Sequence, residues 1–180
     1  MANTSTMKNI CSTVISEGGY QLRGRPRTVG REPNNAFTHT TAGVYYPLAA
    51  LRLKSDRADG VVVLRNFTLL PIGGNSGRFR YKIISGATIT GGTWVSAGTD
   101  SSVQYNISGT GMSGGTELLS GYTSVSNQSG APLDIGGDDF LRYQLERNSF
   151  TGSNTVLVLA VACGTDNDSC VAGIDWEEMT

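Results

Sequence analysis

The sequence predicts an all-β chain: an antiparallel two-sheet sandwich, jelly-roll-like, with an extended N-terminal arm. Three observations predict it. Of 180 residues 24 are glycine and only 16% are charged, a composition far from that of a helical bundle. No apolar stripe at helical spacing runs beyond about two turns, which leaves parallel α/β folds without their helices. From Gly43 onward, short β-rich runs alternate with clusters of Gly, Asn, Asp and Ser, the punctuation of a sandwich or barrel. The length is ample for one core, because a chain of roughly 150 residues buries about 68–70% of its unfolded surface.

The elements follow in order. Ile10–Ile15 reads as a short strand, carried by Thr13, Val14 and Ile15. Residues 18–41 contain Gly18-Gly19, Arg23-Gly-Arg-Pro-Arg27 and Glu32-Pro-Asn-Asn35 with little apolar periodicity, and read as an arm or loop that cannot bury itself alone. Residues 1–42 are therefore assigned to an N-terminal strand and extended arm, and residues 43–180 to the sandwich domain. Within the latter the candidate strands are Val44–Lys54, Gly60–Leu70, Arg78–Ile84, Thr93–Ala97, Val103–Ile107, Glu117–Val125, Phe140–Glu146, Thr155–Cys163 and Val171–Glu177. In Arg78-Phe-Arg-Tyr-Lys-Ile the apolar residues fall at every second place, so one face is core and the Arg-Arg-Lys face is solvated or meets a partner. Val156-Leu-Val-Leu-Ala-Val161 is apolar on both faces, as in a central strand covered on both sides, an intersubunit contact being one way to cover it. Asp59-Gly60, Gly73-Gly74-Asn75, Gly91-Gly92, Gly114-Gly115 and Gly136-Gly137 supply the turns.

Charge and cysteines bound the function. A net charge of -1 and a pI near 5.8 give no drive toward nucleic acid or an anionic membrane. The longest apolar run, Val156 to Cys163, falls far short of the roughly 20 residues that span a bilayer. The residues after Met1 lack the charged and apolar regions of a signal peptide. Cys11, Cys163 and Cys170 are odd in number and have no short metal-ligand spacing, so reduced thiols are expected, with a Cys163–Cys170 bridge only if their strands form a hairpin.

Chemical motifs were weighed against their plain readings. Gly111-Met-Ser-Gly-Gly115 matches the nucleophile-elbow pattern, but no helix follows Ser113, and the single histidine, His39, lies upstream. A loop is the expected reading of the first and an exposed loop residue of the second. Asp166-Asn-Asp168 and Asp134 with Asp138-Asp139 offer oxygen ligands without completing an EF-hand loop, so solvated turns are expected. Asn66, Asn106 and Asn127 open glycosylation sequons that stay incidental without a signal peptide. Arg23, Arg25, Arg27 and Arg31 form the one local charge feature, stiffened by Pro26. Such guanidinium forks suit docking on an acidic protein surface, with a solvated loop and nucleic acid as the other readings.

At Val14-Ile-Ser-Glu-Gly-Gly-Tyr20, Leu51-Arg-Leu-Lys54, Gly91-Gly-Thr-Trp94, Ser102-Val-Gln-Tyr-Asn106, Ser120-Gly-Tyr122 and Asp175-Trp-Glu-Glu178, the chain resembles the β-rich, jelly-roll-like module of tailed-bacteriophage virion structural proteins. The resemblance covers roughly residues 10–178 and implies no catalytic residue, metal or cofactor. It implies a nonenzymatic virion protein made in the host cytoplasm, with the major capsid protein or other virion proteins as partners, no membrane, and a homotrimeric state. A capsid decoration or cement protein docking through the arm is the leading expectation. A tail or fibre component is the alternative, with Tyr45, Tyr46, Trp94 or Tyr122 stacking on host sugar rings, and a glycan depolymerase is the enzymatic third.

Overall fold

The computed structural model describes residues 24–57, 59–73, 77–125, 144–145, 147 and 152–179. In chain order the strands are β1 (Arg25–Gly30), β2 (Phe37–Thr38), β3 (Tyr46–Leu53), β4 (Val61–Gly73), β5 (Arg78–Ser85), β6 (Thr88–Thr90), β7 (Val95–Ser96), β8 (Val103–Asn106), β9 (Gly111–Ser113), β10 (Thr116–Ser124), β11 (Gln144–Leu145), β12 (Leu157–Cys163) and β13 (Ser169–Met179). They form the expected all-β sandwich, and every pairing between these strands is antiparallel. The first sheet has the order β1-β13-β4-β11, with β2 also on β13, and the second has the order β10-β5-β12-β3-β8-β7. Strands β6 and β9 make a small third sheet. Among the described residues no helix is long and apolar enough to cross a membrane.

Side-chain alternation builds the core between the two large sheets. On β13, Cys170, Ala172, Ile174 and Trp176 point inward; on β12, Leu157, Leu159, Val161 and Cys163 do the same. Strand β4 keeps one face inward only by changing phase. Val62 and Leu64 are core residues, and so are Phe67 and Leu69, which a strict period of two would not allow. The ladder with β13 jumps from Asn66 to Leu64 between Asp175 and Trp176, so Arg65 is the extra residue of a β-bulge that resets the alternation. Each large apolar side chain buried in this way contributes about 1.5–3 kcal/mol.

The doubly apolar run has an internal explanation. Val158 and Ala160 face out from β12 and pack with Ala50, Ile84 and Ala87, and Ile89 of β6, Met112 of β9 and Trp94 lie against that cluster. The second face of the central strand is thus covered by the chain's own small sheet.

The N-terminal segment departs from the sequence reading. Residues 25–30, read as arm or loop, form an edge strand that pairs with β13 from Arg25 opposite Glu178 to Gly30 opposite Gly173. Phe37–Thr38 pairs farther along the same strand. Local periodicity is weak in this segment because the ordering comes from the ladder on β13, a long-range partner. Residues 10–15 and most of the strand expected at 140–146 lie outside the described residues.

Candidate functional site

The arginines singled out in the N-terminal segment converge on their own domain. Arg25 pairs with Asp100. Arg27 donates through its two terminal nitrogens to Asp100 Oδ1 at 2.7 Å and to the Ala97 carbonyl at 3.2 Å, and its Nε lies 3.0 Å from Glu178 Oε1. Glu178 is 1% exposed, a position that would be costly for a lone carboxylate. Three hydrogen bonds and the charge of Arg27 offset that cost. Oε1 faces Arg27 and also accepts from Ser101 Oγ at 2.6 Å and Trp176 Nε1 at 2.9 Å, while Oε2 accepts from the Ser102 N–H at 2.7 Å. Next to it, Glu177 accepts from the Gly24 N–H and pairs with Arg65. Arg31 donates to the Ile107 carbonyl and sits 5.2 Å from the Phe37 ring centroid; burial lowers its pKa from the usual arginine value. Pro26 lies with Arg27 and Trp176 along a shallow cleft of about 400 Å³. Arg23 lies outside the described residues. The described arginines therefore act as a clip that holds β1 to the sheet.

His39 corrects another expectation: it is fully buried rather than exposed. The ring stacks edge-on against Phe37, Tyr46 and Phe79, with Nδ1 3.3 Å from the Asp168 carbonyl and Nε2 3.1 Å from the Val161 carbonyl. Both partners are acceptors, so the neutral ring donates to one carbonyl and rests its other nitrogen against the second; burial lowers the pKa below the usual histidine value. Ser113 ends β9, opposite Thr88. The Asp166–Asp168 turn is a structural corner, where Asp166 Oδ1 accepts from the Ala42 N–H at 2.6 Å and the Asp168 carbonyl accepts from the His39 N–H at 2.9 Å. Asn106 is buried, and its Oδ1 accepts from the Ser108 N–H at 2.9 Å. Among the described residues no three His, Cys, Asp or Glu side chains are grouped to hold a metal ion. Asp134, Asp138, Asp139, Asn127 and Cys11 lie outside the described residues. Cys163 and Cys170 are buried free thiols on strands of different sheets; burial raises both pKa values, that of Cys170 to about 12.

A concavity lies on the outer face of the second sheet, across β10, β5 and β12. It encloses about 770 Å³ and is lined by Tyr45, Arg78, Arg80, Tyr122, Ser124 and Ala162, among others. Its chemistry follows from the alternation of β5, which buries Phe79, Tyr81 and Ile83 in the core and turns Arg78, Arg80 and Lys82 outward. Tyr122 stands opposite Arg80 in the β10–β5 ladder, is 74% exposed, and carries the Arg80 guanidinium 5.4 Å from its ring centroid. At the other aromatic wall, Lys82 Nζ lies 4.7 Å from the Tyr45 ring centroid and 2.6 Å from Glu117 Oε2. The Lys82 ammonium, followed by the Ser120 hydroxyl, holds the Glu117 carboxyl below its ordinary pKa. Ala162 supplies a small floor residue, and Gly43 at the rim has open space where a side chain would stand.

Of the four aromatic residues raised for sugar stacking, the fold brings Tyr45 and Tyr122 together and separates the others. Tyr46 packs on Phe37 and His39 and shares a 2.9 Å hydrogen bond with Thr40. Trp94 is capped by the Arg52 guanidinium, 4.2 Å from its ring centroid. The cationic face of Arg78–Lys82 was legible in the alternation, whereas the Tyr122–Arg80 pairing depends on a register that no local pattern reveals. No protein-family model, curated protein or solved structure matches the chain.

Proposed function

We propose that the chain is a nonenzymatic structural protein of a tailed-bacteriophage particle, a capsid decoration or cement protein that binds the major capsid protein lattice. The observation that carries this reading is the ordered motif series. Four of its six members fall on strands: Leu51–Lys54 closes β3, Ser102–Asn106 builds β8, Ser120–Tyr122 lies in β10, and Asp175–Glu178 brings Trp176 and Glu178 into the clip on β1. A sandwich with a pinned terminal strand and both faces of its central strand covered suits a protein that must stay folded outside the cell. Docking through Arg25, Arg27 and Arg31 is not retained, since those guanidiniums hold β1 to its own domain. A homotrimer at a threefold position belongs to this reading by analogy with virion appendages; the apolar run Val156–Val161 no longer argues for it, because β6 and β9 cover that face.

A second reading, a tail or fibre component binding host glycan, is favoured by one observation, the exposed Tyr122 ring in the groove. Quantitative mass spectrometry of purified particles, scaled to the major capsid protein, separates the two. Hundreds of copies per particle are expected of a decoration protein, and a handful to a few tens of a tail or fibre component. Absence from purified particles removes both readings.

A further inference from the structure

The groove formed by β10, β5 and β12 has a chemistry that selects a ligand. Three features decide the class. The first is a ring, Tyr122, held largely out in water at 74% exposure on β10. A planar aromatic left open at the wall of a concave site offers a stacking platform for the C–H face of a pyranose or for another flat group. The second is cationic charge beside that platform: Arg80 stacked on Tyr122 and Arg78 lining the same groove. Guanidinium forks recognise carboxylates bidentately. The third is the hydroxyl-bearing rim, Ser124 and Thr123, next to the small floor residue Ala162, which suits a ligand rich in hydroxyl groups.

We propose that this groove binds a carboxylate-bearing saccharide, a uronic or sialic acid unit stacked on Tyr122 with its carboxylate on Arg80. A peptide strand fits less well. The groove floor is the face of the sheet, where β5 is already paired on both sides, to β10 and to β12; the edge of β10, where a peptide strand could add, lies beside the groove in the plane of the sheet rather than over its floor. A nucleic acid fits less well too. The outward cation Lys82 is neutralised by Glu117, and the chain's net charge is -1, whereas polyphosphate binding draws on many uncompensated cations. The inference rests on the groove alone and does not depend on where in a particle the chain sits.

The test is isothermal titration of the full chain with α2,3-sialyllactose, trigalacturonate and a hyaluronan tetrasaccharide. Lactose and cellotriose serve as neutral counterparts, and a polyglutamate peptide and single-stranded oligothymidylate as the competing classes. At least one acidic saccharide is expected to bind with a Kd of about 1 mM or tighter and about tenfold more tightly than its neutral counterpart. Tyr122→Ala and Arg80→Gln should each weaken that binding about tenfold, while Tyr122→Phe, which keeps the ring, stays within about threefold. Tyr122→Ala should leave thermal unfolding unchanged, so its effect reports the ligand and not the fold. The proposal is overturned if no acidic saccharide binds at about 10 mM, if neutral sugars bind equally well, or if both variants bind like wild type. Tighter binding of polyglutamate or oligothymidylate than of any saccharide overturns it as well. Particle copy number has no bearing on these outcomes, so failure here and failure of the virion reading are read separately.

Discussion

Glu178 and Arg25 show how differently two carboxylate–guanidinium contacts a few residues apart can act. Glu178 is buried, and its oxygens face Arg27, Ser101, Ser102 and Trp176. Replacing it with Gln removes the buried counter-charge beside Arg27 Nε, leaving Arg27, 16% exposed, its partly exposed pair with Asp100, and turns one acceptor into a donor facing another donor. Glu178→Gln should cost about 3 kcal/mol in urea unfolding. Arg25→Ala, at a pair where both side chains are 57% exposed, should cost less than about 1 kcal/mol. Equal losses would mean that the clip is not the anchor of β1. His39 sets the pH response. Burial lowers its folded pKa from 6.5, so below that value the unfolded chain binds the proton more readily than the folded one. Its contribution is then fully present above pH 6.5 and is lost as the pH falls through and below it. Melting temperature should fall between pH 7.5 and 5, and His39→Gln, which does not titrate, should flatten that slope.

Strand β10 is held by contrast between neighbours. Gly121 faces inward, where an added Cβ would collide with the Tyr81 ring; Tyr122 faces the groove. The glycine is there for close approach, since the Tyr81 side chain passes directly beneath the strand. Gly121→Ala should therefore cost about 1–3 kcal/mol, the penalty of overpacking a filled site, while Tyr122→Ala one residue away should be nearly neutral in the same urea titration. A neutral Gly121→Ala would mean that Tyr81 can swing aside, and β10 would then be less tightly packed on β5 than its ladder implies. The Arg65 bulge does comparable work in β4: one extra residue lets Val62, Leu64, Phe67 and Leu69 share a single buried face.

The sandwich as a body is closed on its N-terminal side by β1, which covers one edge of β13. An uncovered edge of that length is a template for pairing with other chains. Deleting residues 1–30 removes the strand, strips Glu178 of Arg27 and opens that edge. The truncated chain should lose more stability than Glu178→Gln alone and should shift toward aggregates in size-exclusion chromatography. A truncated chain that stays monomeric and as stable as the full one would make β1 a passive appendage and reopen it as a docking arm.

The class of fold was readable because alternation is local. The period of two in Arg78–Ile84 and the glycine-marked turns needed no knowledge of distant residues, and the strands at Val44–Lys54, Gly60–Leu70 and Glu117–Val125 overlap β3, β4 and β10. The outward Arg78, Arg80 and Lys82 of the groove were legible for the same reason. What sequence could not carry were the facts that depend on pairing partners far along the chain. Residues 25–30 become a strand only because β13 offers an edge, and their arginines clip the domain only because Glu178 and Asp100 arrive beside them. His39 is buried because the turn before β13 closes over it, although nothing in Phe37–Thr40 marks it as core. Tyr122 meets Arg80 through the register of two strands 42 positions apart in sequence. Alternation tells which side of a strand is wet, and only the tertiary ladder decides which strand lies next to it.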